Sequence, residues 1–192
     1  LSILYNAGIT TELFPVLIFV AVGAMIDFGP LLQNPFMLFF GAAAQFGIFA
    51  TMLLAILFGF DLKEAASIGI IGAADGPTSI FVATKFAQKL LAPISVAAYS
   101  YMSLVPIIQP PVIRMLTTKK ERMIRMEAQR AVEVPKLVRI LFPIMITVIA
   151  GIIAPISVAL VGLLMFGNLI RECGVLERLS KAAQNELANL VT

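Results

Sequence analysis

Residues 69–80 read Gly69-Ile70-Ile71-Gly72-Ala73-Ala74-Asp75-Gly76-Pro77-Thr78-Ser79-Ile80, which places one carboxylate and a Gly-Pro pair inside an apolar run. An ionised carboxylate in hydrocarbon costs roughly 2.5–3.5 kcal/mol on insertion scales, so membrane spans seldom carry one without a role. Pro77 suits the first position of a helix, and Gly72 can end the preceding one. The stretch therefore predicts two half-helices that meet around residues 73–76, with Gly76 in the break.

A broken helix exposes backbone polar groups at membrane depth, which is tolerated only where they line a protein-buried cavity or bind something. The carbonyl groups of Ala73 and Ala74, the Asp75 carboxylate and the Thr78 or Ser79 hydroxyl would form a site made only of oxygen atoms. Hard cations such as Na⁺ favour such ligands, and the same carboxylate could carry a proton. We predict a Na⁺ site here. The alternative, that Asp75 merely caps the helix beginning at Pro77 at a span end facing water, stays open.

The composition places the chain in a membrane. Hydrophobic residues make up 60% of the 192, charged residues make up 13%, and the mean hydropathy is +0.99. A soluble domain has about 45–50% apolar and about 25% charged residues. The chain has no histidine and one cysteine, which excludes imidazole chemistry, His-ligated metal sites and an intrachain disulfide. Eight of the fourteen Lys and Arg lie between residues 114 and 139, so we interpret residues 114–136 as a basic cytoplasmic loop or amphipathic helix rather than a nucleic-acid surface.

The apolar runs predict an all-α polytopic membrane protein, a transporter-like bundle with broken helices, in a single transmembrane domain over residues 1–192. About 20 apolar residues are needed to cross a bilayer. Candidate spans besides the broken segment cover residues 13–26, 36–60, 90–106, 136–154 and 155–166. With the basic loop inside, they give five or six crossings, with residues 33–35 outside and 61–64 inside. Whether residues 65–83 cross or re-enter stays open. Both ends resemble the interior of a longer protein, so we expect a fragment that is incomplete at both ends.

Other polar side chains in or beside the apolar runs each have a structural alternative. Tyr101 could donate a proton near Asp75, or it could be an aromatic residue of the membrane interface. Asn168 could be an amide ligand, although a C-terminal cap of the apolar run before it is favoured. Asp27 is interpreted as a solvated end of the first span, and Cys173 as an inert thiol.

The residues alone leave several classes of function open. A cation-binding carboxylate at mid-membrane suits an ion-pumping enzyme subunit, and it suits a Na⁺/H⁺ antiporter or a Na⁺-coupled secondary transporter equally well. A membrane scaffold whose basic loop docks partners would leave Asp75 without a role.

The chain resembles the β subunit of the sodium-ion-pumping biotin-dependent decarboxylases, which act on oxaloacetate, methylmalonyl-CoA or glutaconyl-CoA. The resemblance covers essentially the whole chain, including its opening segment, residues 11–30. Its specific motifs are the stretch Gly69–Thr78, Ala98-Tyr-Ser-Tyr101-Met-Ser-Leu-Val-Pro-Ile-Ile-Gln109-Pro-Pro111 and Gly167-Asn-Leu-Ile-Arg-Glu-Cys-Gly-Val-Leu-Glu-Arg-Leu-Ser180.

The resemblance implies a multi-pass subunit of a bacterial or archaeal cell membrane that decarboxylates carboxybiotin, exports Na⁺ and consumes a proton. Carboxybiotin would arrive on a partner, because the chain has no Ala-Met-Lys-Met biotinylation motif. The implied partners are biotin-carrier and carboxyltransferase (α) subunits and a small membrane (γ/δ) subunit, and an oligomer is possible.

The resemblance also implies roles for individual residues. Asp75 falls on the aspartate held essential for Na⁺ coupling, and Tyr101 falls on the tyrosine implicated in proton supply. Asn189 with Thr192 matches an Asn-x-x-Thr stretch that contributes to the second half of the site. The serine that follows in the family lies beyond Thr192, so we expect this fragment alone to be inactive.

Overall fold

The computed structural model describes residues 3, 5–11, 13–73, 75–124 and 134–191. No strand occurs in these ranges, which confirms the predicted all-α fold class. The α-helices are α1 (Leu13–Met25), α2 (Gly29–Gln33), α3 (Leu38–Leu57), α4 (Leu62–Gly69), α5 (Gly76–Phe86), α6 (Leu91–Leu116), α7 (Lys119–Arg122), α8 (Lys136–Ile153), α9 (Val158–Cys173), α10 (Glu177–Ala182) and α11 (Ala188–Val191).

Shorter turns join or extend these helices. The 3₁₀ turns are Pro35–Met37, Ile70–Ala73, Gln88–Leu90 and Pro155–Ser157, and the π-helical turns are Tyr5–Thr10 and Ala183–Leu187. The chain forms two compact units. The first unit contains Leu1–Leu38 and Val132–Thr192, and the second contains Phe39–Ala131.

Three helical segments of the described residues are long and apolar enough to cross a membrane, namely Pro35–Leu57, Lys136–Ile153 and Pro155–Cys173. A fourth is added when the bent α6 counts as one span. These helices confirm a multi-pass membrane protein. They are fewer than the five or six predicted crossings, because α1 has only 13 residues and residues 65–83 divide into short helices.

Helix α6 continues well past the predicted end of its apolar run at Pro106, to Leu116, and it bends by 47° between Tyr101 and Ser103. A proline has no N–H for the carbonyl group four residues earlier, and its ring presses against that carbonyl. For Pro106 that carbonyl belongs to residue 102, which is where the bend lies. The proline therefore bends the helix and does not end it.

Close contact between α1 and α9 holds the first unit together. A Cβ atom added to Gly23 would lie 1.8 Å from the carbonyl oxygen of Leu164, and one added to Gly167 would lie 2.1 Å from that of Val20. The two backbones therefore touch, as in membrane helix pairs with small residues at the interface. Around this crossing Phe19 is 1% exposed and forms part of the core.

Polar side chains close the end of the first unit where α1 stops and α8 begins. Arg171 donates to the carbonyl oxygen of Met25 at 3.0 Å and lies 3.6 Å from the carboxylate of Asp27. Arg139 pairs with Glu172 at 3.4 Å. The Nε atom of Arg139 is buried and has no hydrogen-bond partner among the residues that the structure describes. Asp27 is thus exposed, as predicted for a solvated end of the first span, and in addition it pairs with Arg171.

Residues 33–35 lie at this same end. Gly29 and Leu32 line one shallow depression together with Arg139 and Glu172. Helix α2 has five residues and is about 7.5 Å long at 1.5 Å per residue, far less than a hydrocarbon core about 30 Å thick. Within the first unit, this arrangement favours one side of the membrane for residues 33–35 and for the start of α8, while the predicted placement of residues 33–35 outside stays a prediction.

The described part of the basic loop contains one short helix, α7. Thr118 and Glu121 form a reciprocal capping box at its start. The guanidinium group of Arg122 donates to the carbonyl oxygen of Thr117 and, at 3.3 Å, to that of Arg114, so it caps the last turn of α6. The rest of the loop, residues 125–133, lies outside the described residues.

In the second unit α3 runs directly against the broken segment. A Cβ atom on Gly72 would lie 2.8 Å from the carbonyl oxygen of Gly47, and one on Gly69 would lie 3.0 Å from that of Ile48. In α3 this close approach occurs at Gly47. At Gly41 nothing lies within 4 Å of an added Cβ atom.

Candidate functional site

The candidate site lies where the helix of residues 65–83 is interrupted. Helix α4 ends at Gly69, a 3₁₀ turn follows over Ile70–Ala73, and α5 begins at Gly76. Asp75 precedes α5 in an extended conformation, with φ −124° and ψ 100°, and Pro77 occupies the first turn. Gly76, which the sequence predicts to lie in the break, is instead the first residue of α5, and the extended residue is Asp75.

Asp75 makes the contacts of a helix N-cap. Its Oδ1 atom accepts a hydrogen bond from the Thr78 N–H at 3.3 Å, and its Oδ2 atom accepts one from the Thr78 hydroxyl. Its main-chain carbonyl oxygen accepts from the N–H of Ser79 at 3.1 Å and from the Ser79 hydroxyl at 2.8 Å. Asp75 therefore caps the second half-helix, while the rest of that alternative, a span end facing water with no ion site, stays open.

This capping arrangement is compatible with a bound cation. A carboxylate has about four lone-pair directions, and the two hydrogen bonds from Thr78 occupy one on each oxygen. The Thr78 hydroxyl donates its proton to Asp75, so its own lone pairs stay available as ligands. The donor set contains oxygen only, which suits Na⁺.

The remaining predicted site residues lie at different places. Ala73 is exposed, Gly72 is half-buried and Gly76 is buried, all in the second unit. Asn189 belongs to the first unit, on α11, with its side chain exposed. Ala74 and Thr192 lie outside the described residues.

Helix α6 carries two tyrosines, Tyr99 and Tyr101, which are 38% and 39% exposed. Tyr99 interacts electrostatically with Asp75 within the second unit, whereas the family resemblance selects Tyr101. A spacing of two residues predicts that the two side chains point to different sides of the helix, but no feature of the local sequence tells which side faces Asp75.

Asn168 does not end its own helix. Helix α9 continues to Cys173 and stops at Gly174, which has a φ of 71°. The Asn168 side chain is 1% exposed and donates to the carbonyl oxygens of Ile26 at 2.9 Å and Gly23 at 3.4 Å. The predicted cap at the end of its own apolar run is therefore wrong, because these bonds satisfy the C-terminal carbonyl groups of α1 instead.

Three or four apolar spans, together with a helix broken at a capped aspartate, define a multi-pass membrane protein built like an ion transporter. The sequence model of one family, the Na⁺-transporting oxaloacetate decarboxylase beta subunit, matches residues 1–192. The chain belongs to this family, which confirms the resemblance stated above.

Individual relatives agree with this assignment. The chain is 57% identical over 189 residues to the methylmalonyl-CoA decarboxylase subunit beta of Veillonella parvula, with 98% of this chain and 50% of the relative covered. It is 55% identical over 185 residues to the glutaconyl-CoA decarboxylase subunit beta of Acidaminococcus fermentans, with 96% and 49% covered. It is 52% identical over 198 residues to the probable oxaloacetate decarboxylase beta chain of Vibrio cholerae, with 100% and 45% covered. The chain thus spans about half the length of these curated relatives.

Proposed function

We propose that the full-length parent of this chain decarboxylates carboxybiotin and couples this reaction to Na⁺ export across the membrane, with consumption of a proton. The observation that carries the proposal is the Asp75 carboxylate at a helix break, among oxygen ligands, in a chain of the Na⁺-transporting decarboxylase family. A Na⁺/H⁺ antiporter or a Na⁺-coupled secondary transporter would use the same carboxylate, but the family supports the decarboxylase.

In the proposed mechanism, Na⁺ binds to the Asp75 carboxylate, the Thr78 hydroxyl and the carbonyl groups of Ala73 and Ala74. Asn189 contributes to the second half of the site in the assembled protein. Na⁺ neutralises the charge of Asp75, and this lowers the cost of carrying that carboxylate through a low-dielectric region.

A phenol group of α6 supplies the proton that is taken up as CO₂ leaves. The sequence resemblance favours Tyr101 for this role, and the interaction of Tyr99 with Asp75 makes Tyr99 the second candidate. Moving one charge against 100 mV costs about 2.3 kcal/mol, so decarboxylation must supply at least that free energy for each net charge moved.

The parent protein works with partners that supply what this chain lacks. Biotin arrives on a biotin-carrier subunit, carboxylated by a carboxyltransferase (α) subunit, and a small membrane (γ/δ) subunit completes the complex. We place the protein in the cell membrane of a bacterium or archaeon, with residues 114–136 on the cytoplasmic side, because positive charge concentrates there.

The test is uptake of ²²Na⁺ into proteoliposomes that contain the full-length parent and its biotin-bearing partners, with and without avidin. We expect uptake that requires the decarboxylation substrate and stops when avidin binds the biotin. Uptake driven by a pH gradient and indifferent to avidin would instead identify an antiporter and overturn the proposal.

A further inference from the structure

We infer that Ser79 is a positioning residue for Asp75, which sets the affinity of the site for Na⁺; this inference rests on the function proposed above. The Ser79 side chain is 0% exposed. Its hydroxyl donates to the main-chain carbonyl oxygen of Asp75 at 2.8 Å, and its N–H donates to the same oxygen at 3.1 Å.

These two hydrogen bonds fill the acceptor capacity of one carbonyl oxygen, which has two lone pairs. The Asp75 main-chain carbonyl is therefore committed to α5, and Asp75 offers a cation its carboxylate alone. Ser79 thereby determines which oxygen atoms of Asp75 face the ion.

The same bonds hold Asp75 at the point where the chain enters α5. Asp75 is the N-cap residue and has extended backbone angles, outside the helix itself. The N–H of Ser79 provides one attachment to α5, and the hydroxyl provides a second at a different angle. Loss of the hydroxyl leaves the carbonyl paired once, so the fold keeps its hydrogen bond while the Asp75 backbone, which carries the carboxylate that Thr78 also binds, is held less firmly.

The chain offers a matched control in Ser67 on α4. Its side chain is also 0% exposed, and its hydroxyl also donates to a carbonyl oxygen four residues earlier, that of Lys63, at 2.9 Å. Serine commonly bonds back in this way inside helices, so a purely structural role predicts equal effects of removing either hydroxyl. The two serines differ in their acceptor: Ser79 donates to the carbonyl oxygen of Asp75, and Ser67 donates to that of Lys63.

The experiment measures the initial rate of avidin-sensitive decarboxylation against Na⁺ concentration in the reconstituted full-length complex. It compares the wild type with Ser79→Ala, Ser79→Thr, Ser67→Ala and Ser67→Thr. We expect Ser79→Ala to raise the Na⁺ concentration for half-maximal rate at least fivefold while kcat stays within twofold. Ser67→Ala should leave both within twofold.

Threonine keeps the hydroxyl, so Ser79→Thr should restore half-saturation to within twofold of wild type, with Ser67→Thr as the control for the added methyl group. If the Ser79→Ala complex does not assemble, Ser79→Cys decides, because its thiol is a weaker donor of nearly the same size. Ser79→Cys should then raise the half-saturating Na⁺ concentration by at least twofold.

Equal behaviour of Ser79→Ala and Ser67→Ala, or a fall in kcat at unchanged half-saturation, would overturn the role of Ser79. A wild-type complex whose decarboxylation does not depend on Na⁺ would overturn the proposed function itself. The two failures are therefore distinguished by the wild-type curve.

Discussion

Asp75 combines two roles at one position, and a single substitution can separate them. Asparagine is as good an N-cap residue as aspartate, and its amide oxygen can accept the bond from the Thr78 N–H. It carries no charge, however, and so cannot neutralise a cation. The cap stabilises the fold, whereas the charge is needed for the proposed Na⁺ transport.

We predict that Asp75→Asn in the full-length complex folds with a melting temperature close to that of the wild type but loses Na⁺-stimulated decarboxylation. Asp75→Ala should lose the activity and in addition about 1 kcal/mol of stability, because the cap is also removed. Thermal unfolding and Na⁺ titration of the two variants check this. Activity near the wild-type level in Asp75→Asn would disprove the ion-site assignment.

Asn168 stabilises the first unit through its two bonds to the end of α1. Asn168→Ala removes the partner of the part-buried carbonyl oxygen of Ile26 and of the buried carbonyl oxygen of Gly23, which should cost about 1–3 kcal/mol. Asn185, exposed in the π-helical turn Ala183–Leu187, gives the control Asn185→Ala, with an expected change within about 0.5 kcal/mol. The free energy of unfolding in detergent measures both, and equal values would contradict the capping role.

At the scale of elements, the approach of α3 to the broken segment depends on the absence of side chains. Gly72→Ala places a Cβ atom 2.8 Å from the backbone oxygen of Gly47, so the 3₁₀ turn must move away from α3. We predict that Gly72→Ala lowers the melting temperature and also raises the Na⁺ concentration for half-maximal rate, because the turn leads directly to Asp75.

Gly41→Ala is the matched control for this change. The added Cβ atom meets nothing within 4 Å, and alanine is favoured over glycine inside a helix by up to about 1 kcal/mol. Its melting temperature should therefore stay the same or rise. A fall similar to that of Gly72→Ala would show that the contact between α3 and the turn is not the cause.

The predicted spans 36–60 and 136–154 correspond closely to the observed Pro35–Leu57 and Lys136–Ile153. Apolar length between polar flanks is a local property, and it determines such helices. The sequence did not predict that α6 passes Pro106 or that α9 passes Asn168. The Asn168 side chain binds carbonyl oxygens at the end of α1, and the sequence near residue 168 contains no pattern that predicts a contact with that distant helix.

For the candidate site, the sequence predicted Asp75 and the break, since a carboxylate beside Gly-Pro in an apolar run is conspicuous. The interaction of Tyr99 with Asp75 depends on how α6 is rotated against α5, which tertiary packing decides. The single domain predicted for residues 1–192 stays a prediction.

At the scale of the whole molecule, the position of residues 33–35 changes the expected topology. These residues lie at the same end of the first unit as the start of α8, and Pro35–Leu57 can then carry the chain to the other side of the membrane. Residues 61–64 would emerge opposite the basic loop, and not on its side as the sequence count had it. With α6 crossing once, the broken segment would enter and leave the membrane on one side.

Cysteine labelling tests this topology in a parent protein whose native cysteines, Cys173 among them, are replaced by serine. Single cysteines at Asn34, Lys63 and Lys120 in the full-length parent all lie at exposed positions. With an impermeant maleimide, we expect Asn34→Cys and Lys120→Cys to react from the cytoplasmic face and Lys63→Cys from the opposite face. Reaction of Asn34→Cys and Lys120→Cys from different faces would contradict this prediction.

The bonds from Asn168 to the end of α1 also have a consequence for the order of synthesis. The two partners Asn168 and Gly23 are 145 residues apart, and translation at roughly 5–20 residues per second takes about 7–29 seconds to connect them. During that interval the last carbonyl groups of α1 must be hydrated or held by the insertion machinery. Helix α9 thus supplies the hydrogen bonds that the end of α1 needs. A ribosome that stalls before residue 168 leaves α1 in the membrane with the carbonyl groups of Gly23 and Ile26 without these partners.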